Sequence, residues 1–167
     1  ADVHVIGKDI NRFHSVLWPA MLMSCDIALP KMVLVHGFVY HKGEKMSKTI
    51  GNIVDPVSLI EQYGRDPLRY FLLREIAFGQ DGNYSEEALI NRYNADLAND
   101  LGNLFSRVLA MIKKYREQIV PRAAGPDGAF REEIEKTRRG YVEHMEQNTP
   151  HLALAAVWDL VSKANDY

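Results

Sequence analysis

Residues 3–20, "VHVIGKDINRFHSVLWPA", decide how the chain is built. Val3 to Gly7 is a short apolar run stopping at a Gly-Lys-Asp step, the pattern of a strand leaving a sheet. Asp9 is then a candidate helix N-cap, and Ile10, Phe13, Leu17 and Met21 follow at helical spacing along one face to about Ser24. Pro19 lies inside this helix and predicts a kink or a restart, because its ring removes a donor and crowds the preceding turn. Lys31 to Tyr40, rich in valine and aromatic residues, reads as a second strand. Strand, helix, strand is a βαβ unit, for which a parallel sheet is the natural host.

Downstream the pattern changes. Asp55-Pro56 and Asp66-Pro67 have the form of helix openings, an N-cap residue followed by proline at the first helical position, and Gly64 closes the first helix. "AFGQDGNYS" interrupts, and Ser85 opens a long helix to about Glu117, with Leu97, Leu101, Leu104, Val108, Met111 and Tyr115 expected as a buried stripe. "VPRAAGPDG" reads as a flexible connection, followed by a charged helix from about Ala129 to Gln147. A last helix starts at Thr149-Pro150, with Leu152, Ala155, Ala156 and Leu160 inward. The expected class is therefore α/β followed by all-α, with the change near residue 84: one domain over 1–84, a helical one over 85–167.

Composition sets limits on this scheme. The 167 residues are 47% hydrophobic and 25% charged, ordinary values for a globular chain. No apolar run reaches the roughly 20 residues of a membrane span, and the start lacks a signal-peptide pattern, so an intracellular, cytoplasmic protein is expected, with an organellar form left open. Cys25 is the single cysteine, which excludes an internal disulfide or a cysteine-clustered zinc site and suggests a small buried hydrophobe. With a net charge of -2, contact with nucleic acid must rely on local patches. Both ends fall inside regular elements, and the chain is expected to be a fragment.

Four groups of residues could carry chemistry. Lys45 and Lys48, in a stretch flanked by Gly43 and Gly51, suit a phosphate whose charge shifts during reaction, although a lysine pair is also what a solvated turn looks like. His14 and Trp18 are four residues apart, so a helix presents both on one face as a wall for a thioether; a core tryptophan beside a satisfied histidine is the ordinary alternative. Val35 to Val39 end a parallel strand, where open α/β sheets bind ligands, and Gly37 would let a flat ring approach the backbone. Asn99, Asn103 and Arg107 form a polar stripe away from the leucines, able to read unpaired bases or simply to be hydrated. Lys113, Lys114 and Arg116 add nearby phosphate contacts.

Lys45-Met46-Ser47-Lys48-Thr49 resembles the KMSKS signature of class I aminoacyl-tRNA synthetases. Gly7-Lys8-Asp9-Ile10, Phe13-His14 and Trp18-Pro19-Ala20 look like the matching segments of the methionyl-tRNA synthetases, as do "LPKMVLVHGFV", "RYFLLRE" and "FGQDGNYSEEALINRYNADLANDLGNL". The resemblance is dense over roughly the first 115 residues and looser after them. It implies the C-terminal part of a Rossmann-type nucleotide-binding fold, a connective region with the lysine loop, and a helical anticodon-binding bundle. It implies methionine–tRNA ligase activity using ATP and Mg²⁺, with methionine and tRNA(Met) as the other partners. Lys45 and Lys48 would be catalytic, and ATP would be bound by Gly7, Lys8, Asp9, His36, Val39, Lys45, Met46, Ser47 and Lys48, with Asp9 near the ribose and Val39 near adenine. His14 and Trp18 would line the methionine site, and Asn103 and Arg107 the anticodon site.

Two departures from the family pattern stand out. Thr49 replaces the usual final serine and keeps the hydroxyl. No HIGH-type segment occurs, since His4 is followed by Val-Ile-Gly-Lys, so the 167 residues alone are expected to be inactive. The rival readings are a synthetase of the same class for another amino acid, and a non-catalytic tRNA-binding module.

Overall fold

The structure is a computed structural model that describes residues 2–47, 49, 51–122, 125 and 128–166. The mixed α/β chain, mostly helical, divides into two compact units, one of residues 1–55 with 76–84 and one of residues 56–75 with 85–167.

In the first unit, strand β1 (Val3–Gly7) pairs in parallel with β2 (Met32–His36), in a register that sets Val3 opposite Met32 and Gly7 opposite His36. Alternation places His4 and Ile6 on one side of β1, and Ile6 is buried while Val3 and Val5 are exposed. The connection is helical from Lys8 to Ser24, in agreement with a βαβ unit. It opens as a 3₁₀ turn at Lys8–Ile10 directly after an extended Gly7, so Asp9 sits inside the first turn and makes no capping bond. Pro19 does restart the helix. Having no N–H for the Ser15 carbonyl, it is preceded by a π-type segment over Phe13–Leu17, in which the Trp18 N–H reaches back to the Phe13 carbonyl. Helix α1 (Trp18–Ser24) continues from there. Ile10, Phe13, Leu17 and Met21 are all exposed, because the two-stranded sheet is too narrow to cover them, and Cys25 is exposed rather than buried.

The strand expected over Lys31–Tyr40 is two strands in different sheets. Gly37 is the cause. A Cβ there would lie 2.1 Å from the Gln80 carbonyl oxygen, so the backbone of 80–81 crosses at this point and the ladder of β2 stops. The chain resumes as β3 (Val39–His41), the centre of a three-stranded sheet. It pairs antiparallel with β4 (Glu44–Lys45) and parallel with β5 (Gly82–Tyr84), a strand hidden in the sequence inside a turn-rich segment. The β3–β4 link is Lys42–Gly43, both at positive φ, the twist that matches a two-residue hairpin, and the Gly43 N–H donates to Asn83 Oδ1 at 2.8 Å.

The second unit is helical. Helix α2 (Pro56–Tyr63) ends at Gly64, whose φ of 89° lets its N–H close on the Ile60 carbonyl. Helix α3 (Arg65–Glu75) starts at Arg65, so Asp66 and Pro67 lie within its first turn, where the missing proline donor costs nothing. At the next start Ser85 is the N-cap, its Oγ accepting the Ala88 N–H at 3.1 Å. One continuous helical run follows: α4 (Glu86–Arg92), a π-type segment (Tyr93–Gly102) and α5 (Asn103–Tyr115). The ten-residue π segment breaks the 3.6-residue phase on which the buried stripe was predicted. Leu97 and Leu104 are half-buried, whereas Leu101, Val108, Met111 and Tyr115 are exposed.

Helix α6 (Gly128–Glu146) packs on α7 (Pro150–Asp166), and Lys163 donates to Glu133 between them. The core gathers Leu68 and Phe71 of α3, Leu89 of α4 and Ala153 of α7, while Leu152 faces out. Beside it Arg92 bridges Glu75 at 2.6 Å and Asp96 at 3.4 Å, and the Tyr70 hydroxyl donates to Asp96 at 2.5 Å. Burial first and then the Asp96 carboxylate push the Tyr70 hydroxyl well above its ordinary pKa. Burial would lower Arg92, but the carboxylates of Glu75 and Asp96 outweigh it and raise the guanidinium. Pro56–Glu75 thus groups with the later helices and not with residues 1–55, because the buried faces of α3 are met by α4 and α7. The division between the units falls at 55/56, 75/76 and 84/85.

Candidate functional site

Every described residue expected at the nucleotide and methionine sites belongs to the first unit, and Asn103 and Arg107 belong to the second. Gly7 and His36 end the two parallel strands side by side, at the carboxyl edge where ligands of open α/β sheets bind. Lys8 and Asp9 follow Gly7 into the helix; both side chains face solvent. A Cβ at Gly7 would come within 2.8 Å of Asp9 Oδ1, the end of an exposed side chain that can swing aside.

The missing side chain of Gly37 is filled by the 80–81 backbone, not left open for a ring. Val39 is half-buried opposite Gly82. The same crossing brings in Asp81, a residue the sequence did not single out. Its carboxylate accepts from Lys8 Nζ at 2.6 Å and from the Phe38 N–H at 2.9 Å, with the Tyr40 hydroxyl at 3.5 Å. Lys8 first, then the Phe38 amide, hold the Asp81 carboxyl below its ordinary pKa. Only the Asp-Gly step in "FGQDGNYS" hinted at a constrained turn there.

Lys45 is the last residue of β4, paired with Tyr40, and its Nζ lies 4.1 Å from the centre of the Phe38 ring. Lys8 Nζ lies 4.6 Å from the same ring. Met46 and Ser47 are half-buried beyond the strand end. The loop is tied down by Asn52, also missed in the sequence: its side chain donates to the Lys45 carbonyl at 3.2 Å and accepts the Ser47 N–H at 2.8 Å, while its own carbonyl meets His41 Nδ1 at 3.0 Å. Gly51, at φ 72°, closes the turn onto the Ser47 carbonyl. Lys48 lies outside the described residues.

His14 and Trp18 do meet, with ring centres 6.1 Å apart and nearly edge-on. A third ring joins them. His4 of β1 stands 4.7 Å from Trp18, so the indole is held between a strand and its own helix. His14 Nδ1 is 3.1 Å from the Ile10 carbonyl, which fixes the ring. The polar stripe on the long helix is exposed at Asn99, Asn103 and Arg107, the last two one turn apart in α5.

The family described as tRNA synthetases class I (M) matches residues 1–109. The methionine–tRNA ligase of Brucella suis biovar 1 (strain 1330) is 52% identical over the whole of this chain, which covers 33% of that protein. That of Mycobacterium tuberculosis (strain ATCC 25618 / H37Rv) is 51% identical with the same coverage. Among solved structures, the M. tuberculosis methionyl-tRNA synthetase in complex with methionyl-adenylate superposes with a TM-score of 0.88 at 51% identity, over 100% of this chain and 33% of its own. The apo form of the M. tuberculosis enzyme gives 0.83 at 47% identity, over 100% and 32%. The chain spans about a third of the length of the curated relatives it matches.

Proposed function

The chain belongs to the class I tRNA synthetases of the methionine type, and from that premise we propose that it forms the lysine-loop and anticodon-side part of a methionine–tRNA ligase. The observation that carries this reading is the meeting, in one unit, of the Gly7–His36 strand ends with Lys8 and Lys45. A parallel-sheet edge with two ammonium groups beside it suits a nucleotide triphosphate. The segment around residues 1–55 would be the C-terminal part of a Rossmann-type fold, and the second unit the anticodon-binding bundle.

In this reading ATP lies at the strand ends, with Gly7, Lys8, Asp9, His36 and Val39 around its nucleoside and Lys45, Met46, Ser47 and Lys48 along its phosphates. His4, His14 and Trp18 form the aromatic wall for the methionine side chain, a polarizable thioether that contacts rings favourably. The methionine carboxylate attacks the α-phosphorus, the bond to the bridging oxygen breaks, and pyrophosphate leaves with the negative charge. Lys45 and Lys48 stabilise that charge, so the contribution of this chain is positioning and electrostatics. Mg²⁺ would be carried on the ATP phosphates, the usual way a small, strongly hydrated cation reaches such a site. The methionyl group then passes to the 3′ end of tRNA(Met), whose anticodon bases Asn103 and Arg107 would contact, Asn by paired hydrogen bonds and Arg by stacking or phosphate binding.

The test is methionine-dependent ATP–pyrophosphate exchange in a ligase of the relatives' full length carrying this chain. Lys45→Ala should lower kcat/KM on the order of 100-fold, the usual effect of removing one transition-state donor. Undiminished exchange would overturn the reading. Arg107→Ala should leave exchange intact and weaken aminoacylation of tRNA(Met), and equal effects on both would remove the anticodon assignment.

A further inference from the structure

The two-residue turn at Lys42–Gly43 fixes the hairpin register, and the register places Lys45 across from Tyr40. Phe38 lies two residues before Tyr40, and their rings meet edge-on at 6.4 Å, so both aromatic rings stand where the Lys45 side chain passes. Its ammonium ends 4.1 Å from the Phe38 ring centre, and among the described residues it makes no ion pair. Lys8, by contrast, is neutralised by Asp81 while also lying 4.6 Å from that ring. Asp81 anchors the arrangement from the other side through the Phe38 N–H.

We propose that Phe38 is a positioning residue for Lys45: the ring face holds the lysine ammonium beside Lys8, ready to meet the phosphates of ATP. This rests on the ligase reading above and adds to it a residue with no assigned part. Among the described residues Asp81 pairs with Lys8 alone, which leaves the positive charge of Lys45 uncompensated at the ring. A ring face orders a long, mobile side chain without discharging it, as a carboxylate would, and its hold at a partly exposed site amounts to only about a 2–5-fold bias. Such a hold is strong enough to gather Lys45 and weak enough to release it. An aliphatic side chain of similar bulk has no quadrupole and cannot do this.

The experiment has two arms. In the chain itself, proton NMR should find the Lys45 ε-methylene signal, assigned by its disappearance in Lys45→Met, displaced upfield of the exposed lysines other than Lys8 by the ring current of Phe38. The displacement should vanish in Phe38→Leu and persist in Phe38→Tyr. In the full-length ligase, Phe38→Leu should raise KM for ATP about 2–5-fold with kcat and KM for methionine unchanged, Phe38→Tyr should restore it, and in a Lys45→Met background Phe38→Leu should add nothing. A Lys45 signal at the position of the exposed lysines other than Lys8, or the same rise in KM with Lys45 already removed, overturns the proposal, and the first of these needs no variant of Phe38 to fold. If Lys45→Met itself leaves pyrophosphate exchange unchanged, it is the ligase reading that falls.

Discussion

The two units are held by different forces. The helical unit buries Leu68, Phe71, Leu89 and Ala153 together and carries an Arg92–Glu75–Asp96 network next to them, in which Asp96 is buried and Glu75 reaches solvent. Among the described residues, the sheet-bearing unit buries only Ile6 and Tyr84 of its large apolar side chains and is organised instead by polar and backbone contacts: the Gln80 crossing at Gly37, the Asp81 carboxylate, the Asn52 clamp. On the proposed function, the difference would follow from what each must do. A scaffold gains from apolar burial, whereas a surface that receives a charged ligand and releases product needs exposed charge and contacts that can be remade.

If this contrast is right, the largest loss of stability comes from the helical unit. Phe71 is 1% exposed. Phe71→Ala should cost about 3–5 kcal/mol through lost burial and the cavity left behind. Thermal or urea unfolding checks it. The sharper reading is local, since amide exchange should accelerate through α3, α4 and α7 and change little in β1–β2. Uniform acceleration over both units would mean that the division into two cores has no energetic content.

Next comes the backbone crossing in the first unit. Gly37→Ala puts a Cβ into the space of the Gln80 carbonyl, an overpacking that should cost about 1–3 kcal/mol. Because main chain meets main chain there, no side-chain rotation relieves it. The Phe38 amide should lose its bond to Asp81, visible as faster exchange of that single proton, while the α6–α7 pair keeps its protection. An unchanged Phe38 amide would show that the crossing is not what ends β2.

How far could this have been read from the residues? The parallel βαβ unit, the Ser85 cap, α6 and α7 were legible because each rests on short-range rules: a strand period, a capping side chain, a helical repeat. Other expectations failed, some where a contact distant in sequence overrides the local pattern and some where the helix itself departs from α geometry. Lys31–Tyr40 looks like one strand until residue 80 arrives at Gly37, and β5 is invisible until β3 offers it an edge. Asp9 looks like a cap, but the extended Gly7 leads directly into a 3₁₀ turn. The leucine stripe assumed an unbroken α-helical phase that the π segment shifts. For the candidate site, Lys45, His14 and Trp18 stood out by type and spacing and Lys8 through the family resemblance, whereas His4, Phe38, Asn52 and Asp81 act only through tertiary neighbours and carry no local mark.

A smaller effect belongs to the junction at Ser85, where the second segment of the helical unit begins. Ser85→Ala removes the acceptor for the Ala88 N–H and should cost about 1 kcal/mol. Ser85→Asp, which keeps an acceptor at the cap, should recover nearly all of it in the same melting experiment. A full loss in both variants would mean that the serine matters for packing and not for the cap.

The smallest effect tests whether the sheet-bearing unit is electrostatically organised. Asp81 is held ionised below its ordinary value of 3.8, by Lys8 first and the Phe38 amide second. The unfolded chain therefore takes up the proton before the folded one does. The contribution of Asp81 to stability is complete above about 4 and falls away as pH drops through the lowered folded value, with no effect on the alkaline side. The carboxyl carbon of Asp81, followed by NMR, should titrate below 3.8, and Lys8→Met should move it back toward that value. Because the pair is exposed, about 1 M salt should produce part of the same return by screening, while Phe71 and its neighbours remain indifferent. An Asp81 titration at the ordinary position, insensitive to both Lys8 and salt, would leave the first unit without the charge-based order that distinguishes it from the second.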